Sequence, residues 1–152
     1  MKLYKSQFFP QVRKRGVYKN ISLIGIGGNV GDVKKSFDKL VRLFMDDRRL
    51  RVIETSSILK NPPFGYLEQD DFYNSVIKIE TSLDAKSLLK ILQHYEKRFK
   101  RVRSFKDAPR TLDLDILFFN NECHKRRGLI IPHPKWQERP SVIIPLGLMS
   151  TI

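Results

Sequence analysis

Two aspartates stand two residues apart inside an apolar run, and this run limits how the chain can fold. Residues 111–120 are predicted to form a strand, so Asp113 and Asp115 share one of its faces, with their Cα atoms roughly 7 Å apart. The opposite face is expected to carry the apolar residues of the run, namely Leu112, Leu114, Ile116 and Phe118. Acidic side chains are rarely buried unless they are paired or bound to a cation. The pattern therefore favours a cation between the carboxylates, for which hard oxygen ligands suit Mg²⁺; the alternative is a solvated strand face.

Positive charge dominates the rest of the sequence. The formal net charge is +13, from 29 basic and 16 acidic residues, so anionic molecules are the expected partners. Residues 1–20 carry six basic and no acidic residues, and residues 97–110 carry seven basic residues and one acid, ending beside the aspartate strand. Because arginine binds phosphate in a bidentate manner, the acids and bases together favour nucleoside triphosphate chemistry. Binding of RNA or DNA, with Phe99 and Phe105 as stacking partners, is the competing interpretation.

The length of 152 residues fits one domain with a substantial hydrophobic core. Residues 20–152 are predicted to form that domain, and residues 1–19, which lack periodicity, a flexible or loosely docked basic arm. Cys123 is the only cysteine, which excludes an intrachain disulfide and a thiolate metal site and fits a reducing compartment. No segment approaches the ~18 apolar residues of a membrane span, and no signal peptide is expected. We therefore predict a cytoplasmic protein without membrane association.

Hydrophobic periodicity predicts two helices among four principal strands. Asp32 and Asp84 are expected to cap the two helices. In chain order the predicted elements are strand 21–26, helix 33–46, strand 51–59, strand 72–80, helix 85–99 and strand 111–120. A short strand at 129–131 and a closing helix at 141–149 follow. The β-α-β-β-α-β order is typical of an α+β, ferredoxin-like sandwich, in which helices pack on one face of an antiparallel sheet.

A glycine-rich turn joins the first strand to the first helix. Its sequence over residues 25–31 lacks the glycine spacing of a dinucleotide-binding fold, and the chain contains no G-x-x-x-x-G-K-[ST] string. Both of these phosphate-binding loops are therefore excluded. A tight turn and a ligand that approaches the bare backbone both remain open.

Three further segments carry groups suited to a ligand. His133 lies between two prolines, where it is either structural or a hydrogen-bond donor to phosphate. Phe72 and Asn74 share a strand face and could stack on and hydrogen-bond to a flat heterocycle, although a core phenylalanine and a turn asparagine fit the same pattern. The loop at residues 61–65 is either a proline turn or a rigid backbone that reads the heterocycle.

Taken in order, several segments resemble the 6-hydroxymethyl-7,8-dihydropterin pyrophosphokinase family of folate biosynthesis. The resemblance covers about residues 20–149. The matching segments are Ile26–Asp32, Asn61–Gly65, Asp71–Asn74, Arg101–Arg103, Ala108–Ile116, Ile131–Pro134, Arg139-Pro140 and Pro145-Leu146. The most specific of them is the string Pro-Arg-Thr-Leu-Asp-Leu-Asp-Ile, followed at this distance by Pro-His-Pro.

The resemblance implies a ferredoxin-like fold and Mg²⁺-dependent transfer of pyrophosphate from ATP to the pterin hydroxymethyl group, with release of AMP. It implies two Mg²⁺ ions on Asp113 and Asp115, and catalytic roles for those acids together with Arg101 and Arg110. The implied ATP-binding residues are Gln93, Glu96, Arg103, Arg110, Ile116, His133 and Arg139. The implied pterin-binding residues are Asn61, Pro62, Phe64, Phe72 and Asn74. The expected partners are ATP and the pterin, bound by a monomer; nucleic acid is not expected.

The chain departs from the family pattern in places. Ser141 stands where many members carry a second aromatic residue, so the pterin is expected to be stacked on one side only. The loop Lys106–Arg110 lacks a tryptophan that is common there, and the basic arm is expected to match nothing in the family. Two alternatives therefore stay open beside the enzyme. One is a ferredoxin-like RNA-binding module, although the sequence lacks the aromatic strand motif of such modules; the other is an inactive relative.

Overall fold

The computed structural model describes residues 1–102 and 104–150. Its strands are β1 (Lys2–Tyr4), β2 (Gln11–Val12), β3 (Asn20–Gly28), β4 (Leu50–Thr55), β5 (Ile58–Asn61), β6 (Phe72–Thr81), β7 (Asp113–Phe119), β8 (His124–Arg126) and β9 (Leu129–Ile131). Its helices are α1 (Val33–Met45), α2 (Ala85–Arg98) and α3 (Pro140–Gly147), with a 3₁₀ turn at Trp136–Glu138. Across the described residues, no helix combines the length and the apolar character that a bilayer crossing requires.

An antiparallel sheet forms the centre of the fold. Its main order is β1-β5-β6-β3-β7, while β4 also pairs with β6 and β2 pairs with β4. α1 and α2 pack on one face, over the larger hydrophobic core, and α3 packs on β6 from the other face, over a smaller apolar cluster. The predicted ferredoxin-like α+β fold is confirmed. The two faces of the sheet therefore meet different surroundings, one of them helical and the other partly open.

The two long helices follow their predicted patterns. The Asp32 carboxylate accepts a hydrogen bond from Lys35 N at 3.2 Å, and that of Asp84 accepts one from Ser87 N at 2.8 Å. These bonds satisfy backbone N–H groups that the first turn of a helix leaves without partners. The apolar stripe of α1 is buried along the whole helix: Val33, Phe37, Leu40, Val41 and Phe44. Burial of such a stripe stabilises a helix more than its intrinsic propensity does.

The predicted strand at 51–59 is in fact two strands, β4 and β5, which are separated by Ser56 and Ser57. Both strands pair with β6. At the break, the Ser56 hydroxyl accepts a hydrogen bond from Val76 N at 2.9 Å and lies 2.7 Å from the Ser75 hydroxyl. A side-chain oxygen thus replaces a carbonyl in the ladder. Serine competes with the backbone in this way, and apolar periodicity gives no warning of it.

A β-bulge in β7 corrects one core prediction. Leu23 pairs with Phe118 but the next residue, Ile24, pairs with Ile116, so Leu117 is the extra residue. Beyond the bulge, residues whose side chains were predicted to face the helices face the opposite side of the sheet, and the reverse. Phe118, which was predicted to lie beside Leu114 and Ile116, instead packs at 5.1 Å from the Trp136 ring in the smaller cluster. Its neighbour Phe119 takes the place in the helix-side core.

The first 19 residues differ from the predicted flexible or loosely docked arm. β1 pairs with β5 and β2 pairs with β4, so both short strands extend the sheet. Phe9 is fully buried, with its ring 5.7 Å from that of Phe37. The Asp38 carboxylate of α1 accepts hydrogen bonds from Phe8 N at 2.9 Å and the Ser6 hydroxyl at 2.8 Å. The short strands were missed because two or three residues cannot show periodicity; the domain boundary at residue 20 stays a prediction.

Replacing Phe9 by Ala is expected to lower the free energy of unfolding by about 3–5 kcal/mol, because the substitution leaves a cavity against Phe37. Urea unfolding followed by circular dichroism measures the change. The matched control is Val12→Ala, whose side chain is exposed and should change stability by less than about 0.5 kcal/mol. A Phe9→Ala protein as stable as the parent would show that the N-terminal segment does not dock in solution.

Candidate active site

A cleft lies on the sheet face that α1 and α2 do not cover. It has about 680 Å³ of empty space, which is within the usual size of a small-molecule site. Because Leu114 and Ile116 pack into the helix-side core, the intervening Asp115 points to this opposite face, together with Asp113. The cleft collects most of the residues singled out from the sequence: Asn61, Pro62, Phe64, Phe72, Asn74, Arg110, Asp113, Asp115, His133 and Arg139.

Two glycines of β3 form the floor of the cleft between the acids and the aromatic strand. Gly27 pairs with Asp113 on one side and Asn74 on the other, and Gly25 pairs with Asp115. A Cβ atom on Gly27 would stand 2.5 Å from the Asn74 side-chain nitrogen, so any larger residue would displace the Asn74 amide. The bare backbone thus leaves room for a ligand above it. The sequence left open whether a ligand approaches this glycine backbone. The two glycines and the two aspartates have the same spacing, but only the pairing of β3 with β7 shows that each glycine lies beside an aspartate.

The two aspartates differ in their charged neighbours. Arg110 Nη1 lies 3.1 Å from one oxygen of Asp113, and Arg101 Nη2 lies 4.0 Å from the other. Burial raises the pKa of Asp115 to about 7, and the charges of Asp113 and Glu96 act in the same direction. Burial and like charge both disfavour the ionised form of a carboxyl group. The pair therefore carries fewer than two negative charges at neutral pH unless a cation joins it.

The donor set fits a divalent cation that arrives with its own ligands. Among residues 1–102 and 104–150, no group of three or more His, Cys, Asp or Glu side chains converges on a common point. Asp113 and Asp115 supply carboxylate oxygens, and Mg²⁺ is commonly held by one or two carboxylates plus waters and substrate phosphates. A bound cation would also reverse the pKa shift of Asp115, because it favours the ionised carboxyl.

His133 reaches the cleft as a neutral donor. Burial, followed by the charge of Arg139, lowers the pKa of His133, so the ring is uncharged at neutral pH. Its Nδ1 accepts a hydrogen bond from Lys135 N at 3.3 Å, and its backbone N–H donates to Leu117 O at 3.0 Å. Since Nδ1 is an acceptor, Nε2 carries the proton and can donate to a ligand oxygen.

Two aromatic rings in the cleft are each covered by an arginine. The Arg110 guanidinium lies 5.0 Å from the centroid of the Phe72 ring, and that of Arg139 lies 4.9 Å from the Phe64 ring. Both distances are within the range of cation–π contact. The ring faces can therefore accept a flat, electron-poor group. Ser141, where an aromatic residue was noted as absent, also lines the cleft.

Two buried polar atoms in the cleft lack a partner among the described residues. They are Asn61 Oδ1 and Arg139 Nε. Leaving such atoms unsatisfied costs free energy, so each is expected to meet a ligand or water. The first can accept a hydrogen bond from a heterocycle N–H, and the second can donate one to an anionic oxygen.

The remaining predicted residues lie outside the cleft or at its edge. Glu96 is buried and accepts a hydrogen bond from Leu114 N at 2.8 Å, so it holds β7 in place. Ile116 lines a second, largely apolar pocket of about 570 Å³, which also includes Asp115 and His133 and therefore adjoins the cleft. Gln93 is exposed on α2. Arg103 lies outside the described residues.

Asn29 connects three loops around the cleft, and the sequence analysis missed it. Its Nδ2 donates to Gln69 Oε1 at 2.8 Å and to Asp70 O at 2.9 Å, while its Oδ1 accepts from Arg110 N at 2.9 Å. Gln69 Nε2 in turn donates to Asp107 O at 2.8 Å. The loop Lys106–Arg110, which lacks the tryptophan common in the family, is therefore held in place by hydrogen bonds with the side-chain amides of Asn29 and Gln69. Partners 40 and 81 residues away leave no local sequence signal for such a role.

Comparisons with known proteins agree on one family. Residues 23–150 match the sequence profile described as 7,8-dihydro-6-hydroxymethylpterin-pyrophosphokinase. The chain is 47% identical over 146 residues to the 2-amino-4-hydroxy-6-hydroxymethyldihydropteridine pyrophosphokinase of Campylobacter jejuni, covering 95% of this chain and 93% of that protein. It is 40% identical to the protein of the same name from Helicobacter pylori, covering 97% and 92%, and 39% identical to that from Bacillus subtilis, covering 84% and 77%.

The Helicobacter pylori alignment also corrects an expectation about residues 1–19. Because it covers 97% of this chain, it must include most of that segment. The expectation that the basic arm matches nothing in the family is therefore wrong. The family profile begins only at residue 23, which is consistent with a segment shared by some members rather than by all.

Replacing Asn29 by Ala is expected to lower the free energy of unfolding by about 1–3 kcal/mol, because Arg110 N and the Gln69 amide each lose a partner. Trypsin should also cleave faster after the exposed Lys106, since the loop that carries it is released. Urea unfolding and limited proteolysis with mass spectrometry measure the two effects. Asn121→Ala, at an exposed position, is the control; an unaltered cleavage rate at Lys106 in Asn29→Ala would contradict the role assigned to Asn29.

Replacing Asp115 by Asn is expected to stabilise the metal-free protein at alkaline pH. The folded state keeps the Asp115 proton up to about pH 7, whereas the unfolded chain releases it near 3.8, so the cost of ionisation grows between these values and is complete above pH 7. The variant should gain about 1–3 kcal/mol at pH 8 and little at pH 4. Urea unfolding without divalent cations tests this against Asp46→Asn, an exposed control. An equal gain at both pH values would mean that ionisation is not the cause.

Proposed function

We propose that this chain, which belongs to the 7,8-dihydro-6-hydroxymethylpterin-pyrophosphokinase family, transfers pyrophosphate from ATP to 6-hydroxymethyl-7,8-dihydropterin in folate biosynthesis. The observation that carries the proposal is one cleft in which an acid pair and two arginines adjoin an aromatic ring and two asparagine amides, one of them with an unsatisfied oxygen. The acids and arginines suit a nucleotide's phosphates, and the ring and amides suit a flat heterocycle. An RNA-binding module does not account for that combination, and pterin-dependent AMP release separates the enzyme from an inactive relative.

The pterin would occupy the end of the cleft at the start of β6. Phe72 would stack on the ring, which requires the Arg110 guanidinium to leave the ring face that it now covers. Asn61 and Asn74 would hydrogen-bond to the heterocycle edge, and the orphaned Asn61 Oδ1 supports this assignment. Pro62 and Phe64 complete this end of the cleft. The exchange of a guanidinium for the pterin would also bring Arg110 closer to the phosphates.

ATP would occupy the other end, between the acids and His133. Arg139 Nε, Arg110 and His133 Nε2 would donate to phosphate oxygens, and charge-assisted hydrogen bonds of this kind are the stronger ones. The adenine base would enter the apolar pocket that includes Ile116, which adjoins the cleft through Asp115 and His133. Gln93 lies one helical turn beyond Leu89, a residue of that pocket. Glu96 would act indirectly, by holding the backbone of β7 that carries the two aspartates. The phosphate-binding role of Arg103 stays a prediction.

The reaction joins the pterin hydroxymethyl oxygen to the β-phosphorus of ATP. The bond from that phosphorus to the oxygen shared with the α-phosphate breaks, so AMP leaves with the bridging oxygen, and the hydroxymethyl proton passes to solvent. Two Mg²⁺ ions on Asp113 and Asp115 would neutralise phosphate charge. Arg101, which lies 4.0 Å from Asp113, and Arg110 would hold the transferred group in line for attack. Catalysis would come from alignment and charge compensation, which are large effects in themselves.

The proposal also includes the oligomeric state and the cellular location of the protein. The monomeric state implied by the family resemblance stays a prediction. Cys123 is exposed and single, which supports a cytoplasmic location because secreted domains tend to pair their cysteines.

Replacing Asp113 by Asn is expected to lower kcat at least about 10²-fold, because it removes charge that is needed only as the phosphates react. The dissociation constant for the pterin should stay within about threefold, since Asn74 and Phe72 are untouched. AMP release from ATP measures the first effect, and pterin fluorescence titration the second. Asp46→Asn, which makes the same chemical change at the exposed cap of α1, serves as the control. AMP release that needs neither the pterin nor Mg²⁺ in the parent protein would overturn the proposed function.

A further inference from the structure

The outer surfaces of α1 and α2 carry basic side chains without exposed acidic ones. The exposed bases include Lys35, Lys39 and Arg42 on α1 and Lys86, Lys90 and Arg98 on α2. The acids within these helices have other partners. The Asp38 carboxylate is half-buried and accepts hydrogen bonds from the N-terminal segment, and Glu96 is buried beneath α2. We call the exposed side of Val33–Met45 and Ala85–Arg98 the helical face.

The two helices lie side by side, so their basic residues form one surface. Phe44 of α1 and Tyr95 of α2 are in ring contact at 5.0 Å. Lys39 Nζ lies 5.5 Å from the centroid of the Phe99 ring at the end of α2. The surface also contains a depression of about 560 Å³ whose lining includes Arg49, Lys90, His94 and Arg98 around the Tyr95 ring.

This arrangement opposes the stability of the helices. Lys35 and Lys39, and likewise Lys86 and Lys90, are like charges four residues apart, a spacing at which they repel. Lys34 and Lys35 also stand in the first turn of α1, at the positive end of the helix dipole, where the capping carboxylate of Asp32 is the one acidic group beside them. Nothing in the packing of the fold requires these charges, because the side chains are exposed. A polyanionic partner would remove the repulsion.

The nucleotide bound in the cleft is not that partner. The helical face and the cleft lie on opposite sides of the sheet, because the helices cover the face that the cleft does not use. A helix is about 10–12 Å across, and the field of an exposed charge is largely screened beyond about 8 Å at physiological ionic strength. Most of the basic surface is therefore screened from the acids and arginines of the cleft, and among the described residues only the pocket proposed for the adenine base reaches α2, at Leu89.

A membrane surface also fits poorly. Helices that bind bilayers insert a strip of large apolar side chains beside their basic residues. Neither Val33–Met45 nor Ala85–Arg98 exposes a large hydrophobic side chain. The face offers charge and hydrogen-bond donors alone, which matches the hydrated phosphates of a nucleic acid.

We propose that the helical face is a docking surface for the phosphate backbone of a nucleic acid, bound without base recognition. A nucleic-acid partner was not expected from the sequence, because the strands lack the aromatic motif of RNA-binding modules. A contact made by lysines and arginines on helices needs no such residues. This second activity is independent of the proposed pyrophosphate transfer and would persist in a catalytically inactive protein.

The test measures binding of the full-length protein to a fluorescein-labelled, single-stranded RNA of random sequence by fluorescence anisotropy across a salt series. A variant with K35Q, K39Q, K86Q and K90Q should bind at least about tenfold more weakly at low salt, and its plot of log K against log salt should be shallower by about 2–3. The charge-matched control carries K2Q, K14Q, K19Q and K125Q, four exposed lysines off the helical face. It should lose less than about threefold, because its lysines would not contact the phosphates.

Several results would overturn the proposal. Equal losses of RNA affinity in the two variants would show that net charge alone drives binding. If the parent protein does not bind RNA at low salt, the helical face is not a nucleic-acid docking surface. Binding to vesicles rich in phosphatidylserine, with no binding to RNA, would reassign the face to membranes. Pterin-dependent AMP release should be the same in both variants and the parent, which verifies folding and the separation of the face from the cleft. A selective fall in AMP release in the helical-face variant would contradict that separation.

Discussion

The site depends on the register between β3 and β7. That register sets a glycine opposite each aspartate, so the acids stand beside bare backbone instead of beside another side chain. A slip by one residue would turn the acids toward the helices and the leucines toward solvent, which the apolar core forbids. Glu96 adds a second restraint from the helical side through its hydrogen bond to Leu114 N. One buried carboxylate therefore helps to place the two carboxylates of the cleft.

The sheet separates two kinds of charge. On one side, burial and the neighbouring acids raise the pKa of Asp115 to about 7, so the acid pair favours a cation. On the other side, exposed bases outnumber the few acids of α1, α2 and their caps. Both surfaces are incomplete in the isolated chain, although for opposite reasons. The net charge of +13 is thus a sum over surfaces with different chemistry, and it describes neither of them.

Much of the fold and of the cleft could be predicted from the sequence, because those features rest on local patterns. The caps at Asp32 and Asp84, the stripe of α1 and the alternation around Asp113 all involve residues within a few positions of each other. The misplaced Phe118 and the divided strand at Ser56 show what such patterns omit. A bulge and a serine in the ladder depend on which strand lies alongside. Asn29 and Gln69 could not be found at all, since their roles arise from contacts between loops distant in sequence.

The chain order of the sheet has a consequence for how the protein is made. The strands from β1 to β6 pair among themselves without β7. The strand that completes the cleft, β7, comes after residue 112, and His133 and Arg139 follow later still. Domains fold during synthesis as their segments emerge. The charged groups of the cleft all lie beyond residue 106, so the proposed phosphate site can form only after the last third of the chain has been made.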